Sequence, residues 1–198
     1  MCTLPESILL HAQSLSEGGV LSPKEFLHLG SRAAVDQAFS RLAREGKLLR
    51  VSRGTYVIPV ADRLGVRPPC AHKVIESIAQ QSGELVIPNG ASAANSLGLT
   101  KHAPSCTTYL TSGRSKKIQL GHTEVVVKHA PKWMLALGSS PAGAAVRALA
   151  WMGPTCAGEA LASLRRTLPP PEWQTLTSSR AMFPSWLAQA IGRESHHD

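Results

Sequence analysis

Between Ser31 and Arg53 the chain gathers guanidinium, amide and hydroxyl side chains at a spacing suited to a polyanion. Arg32, Ala33, Asp36, Gln37, Ser40, Arg41 and Arg44 fall opposite Ala34, Val35, Ala38, Phe39 and Leu42, apolar residues that recur at helical spacing. With that stripe buried, Ser31, Arg32, Ala33, Gln37, Arg41 and Arg44 form a short polar set whose sizes and donors suit the major groove of DNA. Arg50 and Arg53 follow on a predicted strand pair, where guanidinium groups can track phosphates or reach a minor groove. A further cluster, Arg114, Lys116 and Lys117, lies beside the Ser112 and Ser115 hydroxyls. Two readings of it stay open: a clamp on a phosphate backbone, or a solvated turn that keeps a sheet edge soluble.

Other chemistry finds little support. No catalytic residue is expected, because the carboxylates beyond residue 66 are few and none is paired at a spacing suited to acid–base work. Gly138-Ser139-Ser140 comes nearest to a nucleophile turn and reads better as a helix cap. No phosphate-binding glycine loop appears, so no cofactor is expected. Cys2, Cys70, Cys106 and Cys156 are scattered, the eight histidines lack a ligand spacing, and His196 and His197 read as a tail, so no metal is expected. An enzyme is therefore not expected.

The elements that position these residues are legible. Ser22, Pro23 and Glu25 announce a short helix that Gly30 ends, and Ser31 caps a longer one reaching Gly46. Leu48, Leu49 and Val51 then lead to a Ser52-Arg53-Gly54 turn, and Thr55 to Ile58 return. Pro5 to Leu15 supplies a preceding helix, and Val20-Leu21 a short strand beside the wing. The whole predicts a winged helix-turn-helix with a core of Ile8, Leu9, Leu15, Phe26, Leu27, Val35, Phe39, Leu42, Leu49 and Val57. Such a module can also serve protein contacts alone, its arginines merely solvated.

The chain has 198 residues, is 43% apolar and carries a formal charge of +8. That composition is globular and favours a polyanionic partner. Lys and Arg against Asp and Glu number 8 and 6 in residues 1–66, 8 and 3 in 67–132, and 5 and 4 in 133–198, so the excess sits in the middle third. No apolar run approaches the ~20 residues of a membrane span. Nothing resembles a secretory signal, and a reducing cytoplasm is the expected setting.

The stretch VADRLGVRPP reads as a connection, placing a winged helix-turn-helix DNA-binding domain at 1–66 and a C-terminal domain at 67–198. The second begins with a helix from Cys70 to Gln81, a strand at Leu85–Ile87 and a small-residue helix from Ala91 to Leu97. Three antiparallel strands follow, at Thr107–Thr111, Lys117–Leu120 and Glu124–His129, the first hairpin tipped by the Arg114 cluster. Helices at Pro141–Met152, Pro154–Leu164, Pro169–Thr177 and Met182–Gly192 complete a bundle. Trp133, Trp151, Trp173 and Trp186 lie in it as core or interface anchors. The fold class is α+β.

The order of these segments carries a likeness. The wing VSRGTYVIP, then NGASAANSLGLT, then TTYLTSGRSKKIQLG followed by VVVKHAP, resembles the AbiEi-type antitoxin and transcriptional-regulator family over about Pro5 to Ile191. The resemblance implies an N-terminal domain that represses its own operon by binding promoter repeats, with Arg32, Gln37, Arg41, Arg44 and Arg53 at the DNA. It further implies a C-terminal antitoxin domain that opposes a nucleotidyltransferase-like toxin, without necessarily binding it. Two alternatives stay open: a winged-helix regulator without a toxin, its C-terminal domain sensing a ligand or partner, and RNA as the target of the basic middle sheet.

Overall fold

The first helix, α1 (Leu4–Ser14), starts with Pro5 in its first turn, and Glu6 reaches back to accept from the Thr3 N–H at 2.7 Å. The structure, a computed structural model, describes residues 3–63, 65–101 and 108–195. Cys2, Cys106, Thr107, His196 and His197 lie outside the described residues. Nine α-helices, two 3-10 turns and three small sheets occur among them, an α+β architecture. No helix among them is long and apolar enough to cross a membrane.

Contacts divide the chain into two compact units, Met1–Glu84 with Lys116–Val126, and Leu85–Ser115 with Val127–Asp198. In the first, β1 (Val20–Leu21) leads to a 3-10 turn at Pro23–Phe26, where the Ser22 hydroxyl accepts from the Lys24 N–H. The short helix expected here from Ser22, Pro23 and Glu25 forms as this 3-10 turn of four residues. Helix α2 (Arg32–Arg44) begins where the Ser31 hydroxyl accepts from the Ala34 N–H at 3.3 Å. The strands β2 (Leu49–Ser52) and β3 (Thr55–Val57) then pair antiparallel around Arg53-Gly54, with Gly54 at the positive φ the turn requires. The expected pairing of Val20-Leu21 is present as Val20 opposite Val57 and Leu21 opposite Tyr56, so the sheet order is β1-β3-β2.

The core of this unit joins Ile8, Ala12, Leu21, Phe26, Val35, Ala38, Phe39, Leu42, Leu48 and Tyr56. His11, Phe26, Phe39 and Tyr56 form a chain of ring contacts with centroids 5.5, 5.5 and 4.8 Å apart. The Phe26–Phe39 and Phe39–Tyr56 contacts each contribute about 0.5–1.5 kcal/mol beyond area burial. Two expected core residues differ. Leu27 is exposed, because the 3-10 turn rotates it away from the face that buries Phe26. Leu48 is fully buried where Leu49 was expected, since Leu48 precedes the strand and bonds back to the Leu42 carbonyl. Ala34, expected in the apolar stripe, is also exposed.

The expected connection after Pro59 is a hairpin, β4 (Val60–Asp62) with β5 (Gly65–Arg67), closed by Arg67 Nε donating to Asp62 at 2.9 Å. The unit continues past it through α3 (Ala71–Ser82), whose Val74 and Ile75 are buried, so contacts do not separate at residue 66. Lys73 Nζ, the Cys70 N–H and Arg67 Nη1 all donate to the Glu17 carboxylate, and the Gln81 amide donates to the Val20 carbonyl. The unit is completed by β8 (Lys116–Leu120), which lies beside β2, and by the start of β9 (Thr123–His129).

In the second unit β6 (Val86–Pro88) pairs antiparallel with β7 (Thr108–Thr111), Ile87 opposite Leu110. The strand order β6-β7-β9-β8 joins the expected Leu85–Ile87 strand to the three expected antiparallel ones, and the division between units falls within β9. Helix α4 (Gly90–Ser96), capped by Asn89, packs Ala93 and Ala94 against Ala148 of α6 (Pro141–Met152). Gly90 is required there: a Cβ would strike the Arg147 carbonyl and the Trp151 side chain. After α5 (Lys132–Leu135), α6 packs with α7 (Ala157–Thr167), α8 (Pro170–Ser178) and α9 (Ser185–Ser195) around Leu149, Leu161, Leu164, Leu176, Leu187 and Ile191. Trp133, Trp173 and Trp186 flank this core as anchors, whereas Trp151 is exposed.

Candidate nucleic-acid interface

At 100° per residue, the buried residues Val35, Ala38, Phe39 and Leu42 occupy one side of α2, and Ala33, Gln37, Ser40 and Arg44 stand diametrically opposite. All four are exposed and form the outward ridge. The residues expected to act together therefore separate. Gln37 and Arg44 sit on the ridge, while Arg32 and Arg41, nine positions apart, project from opposite flanks. Asp36, Gln37, Ser40, Arg41, Arg44 and Glu45 border a shallow, solvent-open depression.

Each flanking arginine is held by an acid one turn later. Arg32 Nε donates to Asp36 Oδ2 at 2.8 Å, and Arg41 Nε donates to Glu45 Oε1 at 3.0 Å. Lys47 Nζ lies 2.9 Å from the other Glu45 oxygen, and these two cations, Lys47 foremost, hold the Glu45 carboxyl below its ordinary range. Exposed pairs of this kind contribute about 0.3–0.5 kcal/mol. Asp36 and Glu45 were not expected as partners, although their i, i+4 spacing from arginine was visible. Arg44, Arg50 and Arg53 are exposed and make no ion pair among the described residues, Arg53 standing at the β2–β3 turn.

The cluster at 112–117 differs from expectation. It does not tip a hairpin, because β9 lies between β7 and β8 and the segment crosses from one to the other. Lys116 Nζ lies 2.7 Å from Glu84 and Lys117 Nζ 3.0 Å from Glu124, and as consecutive strand residues they point to opposite faces. Both serine hydroxyls are engaged as well. Ser112 accepts from the Leu85 N–H at 3.0 Å and Ser115 from the His129 N–H at 2.9 Å. Arg114 alone of the three cations is exposed without an ion pair among the described residues. The Glu84 partner carried no sequence signal, lying 32 positions away.

A family model described as a family of unknown function, DUF6088, matches residues 7–163. The chain belongs to that family. No curated protein and no solved structure matches it. The DUF6088 match takes in every expected contact residue from Ser31 to Lys117 and ends inside α7, short of α8 and α9.

Proposed function

We propose that the chain is a DNA-binding transcriptional regulator in which α1 to β3 form a winged helix-turn-helix, α2 enters the major groove and Arg53 meets the backbone from the wing. The observation that carries this reading is the ridge of Ala33, Gln37, Ser40 and Arg44, four exposed small or hydrogen-bonding residues on a helix capped by Ser31. The flanks support it, since Arg41 projects to one side of that ridge, where a groove's backbone would run, and Arg32 stands at the opening of α2, the end from which base edges are reached.

The likeness to AbiEi-type regulators extends the proposal to an autorepressor that binds repeats upstream of its own gene and acts as antitoxin against a nucleotidyltransferase-like toxin. Footprinting the DNA upstream of the gene with full-length protein tests the first part. Protected repeats are expected, and absence of protection at submicromolar protein sinks it. Co-expression with a neighbouring nucleotidyltransferase tests the second. A footprint without rescue of growth leaves a winged-helix regulator with no toxin.

A further inference from the structure

We propose that Asp36 is a positioning residue that aims Arg32 at a guanine in the major groove; this rests on the reading of α2 as the groove helix. The Asp36 carboxylate takes Arg32 Nε at 2.8 Å. A guanidinium held through Nε keeps its two Nη groups for another acceptor, and that pair matches O6 and N7 of guanine. Arg32 opens α2, the end of a groove helix from which base edges are reached, and its neighbour Ala33 adds little bulk.

Helix stability does not account for the arrangement. The first turn of α2 holds no acid, and Arg32 stands at the positive end of the helix dipole, an unfavourable place for a cation. The pair also runs cation first, the weaker order for an i, i+4 ion pair. An uncommitted carboxylate on this face would repel phosphate, whereas one that fixes an arginine gives that repulsion a return in specificity. The Arg41–Glu45 pair differs, because it sits at the other end of the helix, on the opposite flank, and shares its acid with Lys47.

The test measures full-length wild type, Asp36→Asn, Asp36→Glu and Arg32→Ala on the footprinted site, on copies with each G·C pair changed in turn, and on random duplex, with thermal midpoints as folding control. Asp36→Asn should weaken the footprinted site about five- to tenfold and abolish the preference at the same G·C pair that Arg32→Ala abolishes. Random duplex should be held at least as tightly, one negative charge having gone, and Asp36→Glu should retain the preference. Equal tightening on every duplex by Asp36→Asn overturns the proposal, since the acid would then only oppose the polyanion. Wild type that binds no duplex fails one step earlier, overturning the groove-helix reading and the positioning role with it.

Discussion

Lys73 Nζ lies 2.6 Å from a Glu17 carboxylate oxygen fifty-six positions earlier in the chain. Around that contact the Gly18 backbone runs against Lys73 and Val74, and Glu17 gathers the Cys70 N–H and Arg67 as further donors. The loop between α1 and β1 is thereby pinned to the start of α3.

The pin is pH-dependent in a definite direction. The Lys73 hydrogen bond, then that of the Cys70 N–H, lower the Glu17 carboxyl from 4.5 to about 2. A carboxyl depressed in the folded state stabilises it fully above its unfolded value and loses that contribution as pH falls toward the folded one. The melting temperatures of wild type and Glu17→Gln should therefore differ most above pH 5 and converge between pH 4.5 and 2. A constant difference across that range would show that Glu17 acts through packing alone.

Gly18 is the steric counterpart of the same pin. Its φ is +86°, and an added Cβ would lie 2.5 Å from Lys73 Cβ and 2.8 Å from the Lys73 carbonyl carbon. Left-handed strain costs about 1–2 kcal/mol and overpacking a similar amount, so Gly18→Ala should lower stability to urea by about 2–4 kcal/mol. Gly83→Ala, also at positive φ but with nothing near its Cβ, should cost only the strain. Equal losses for the two would mean the α3 contact yields without cost.

Local signals made part of this fold legible. Ser140 and Pro141 marked the start of α6, and Ser31 the start of α2, because caps act within a few residues. Long-range partners carried no such mark. Glu17 with Lys73 and Glu84 with Lys116 join residues that only the folded chain brings together. The β4–β5 hairpin was read as a connection because proline, glycine and charge replace the apolar alternation of a strand, while its closing pair is Asp62 with Arg67. On α2 the polar face was legible, but its division into a ridge and two flanks required knowing which residues are buried, Ala34 being exposed rather than part of the apolar stripe.

Cutting the chain after Arg67 should not release a stable domain. The cut removes Val74 and Ile75 of α3, Ile118 and Leu120 of β8 and Val125 of β9, all buried within the first unit. It also leaves Glu17 without Lys73. The fragment should melt without a cooperative transition and bind a hydrophobic dye at 25 °C. A sharp, reversible transition within a few degrees of the full chain would show that the fragment ending at Arg67 carries a self-sufficient core.

The proposed binding of DNA carries a salt dependence that sorts the cations by whether they already hold a carboxylate. Each phosphate contact contributes about 0.9 to the slope of log affinity against log salt, whereas a lysine committed to an acid brings that acid's charge with it. Arg53 and Arg114 are exposed and unpaired among the described residues, while Lys116 and Lys117 are held by Glu84 and Glu124. Arg53→Ala and Arg114→Ala should each flatten the slope by about 1 and weaken footprinted and random duplex alike, since phosphate contacts carry no sequence information. The double change of Lys116 and Lys117 to alanine should leave the slope within about 0.3 of wild type, less than half of one phosphate contact. It should lower the melting temperature instead, because the partly buried Glu84 loses the Lys116 ammonium 2.7 Å away. A flattening of about 2 by the lysine pair, with none from Arg114, would mean that both ion pairs open on DNA and that β8, rather than the segment before it, lies along the backbone.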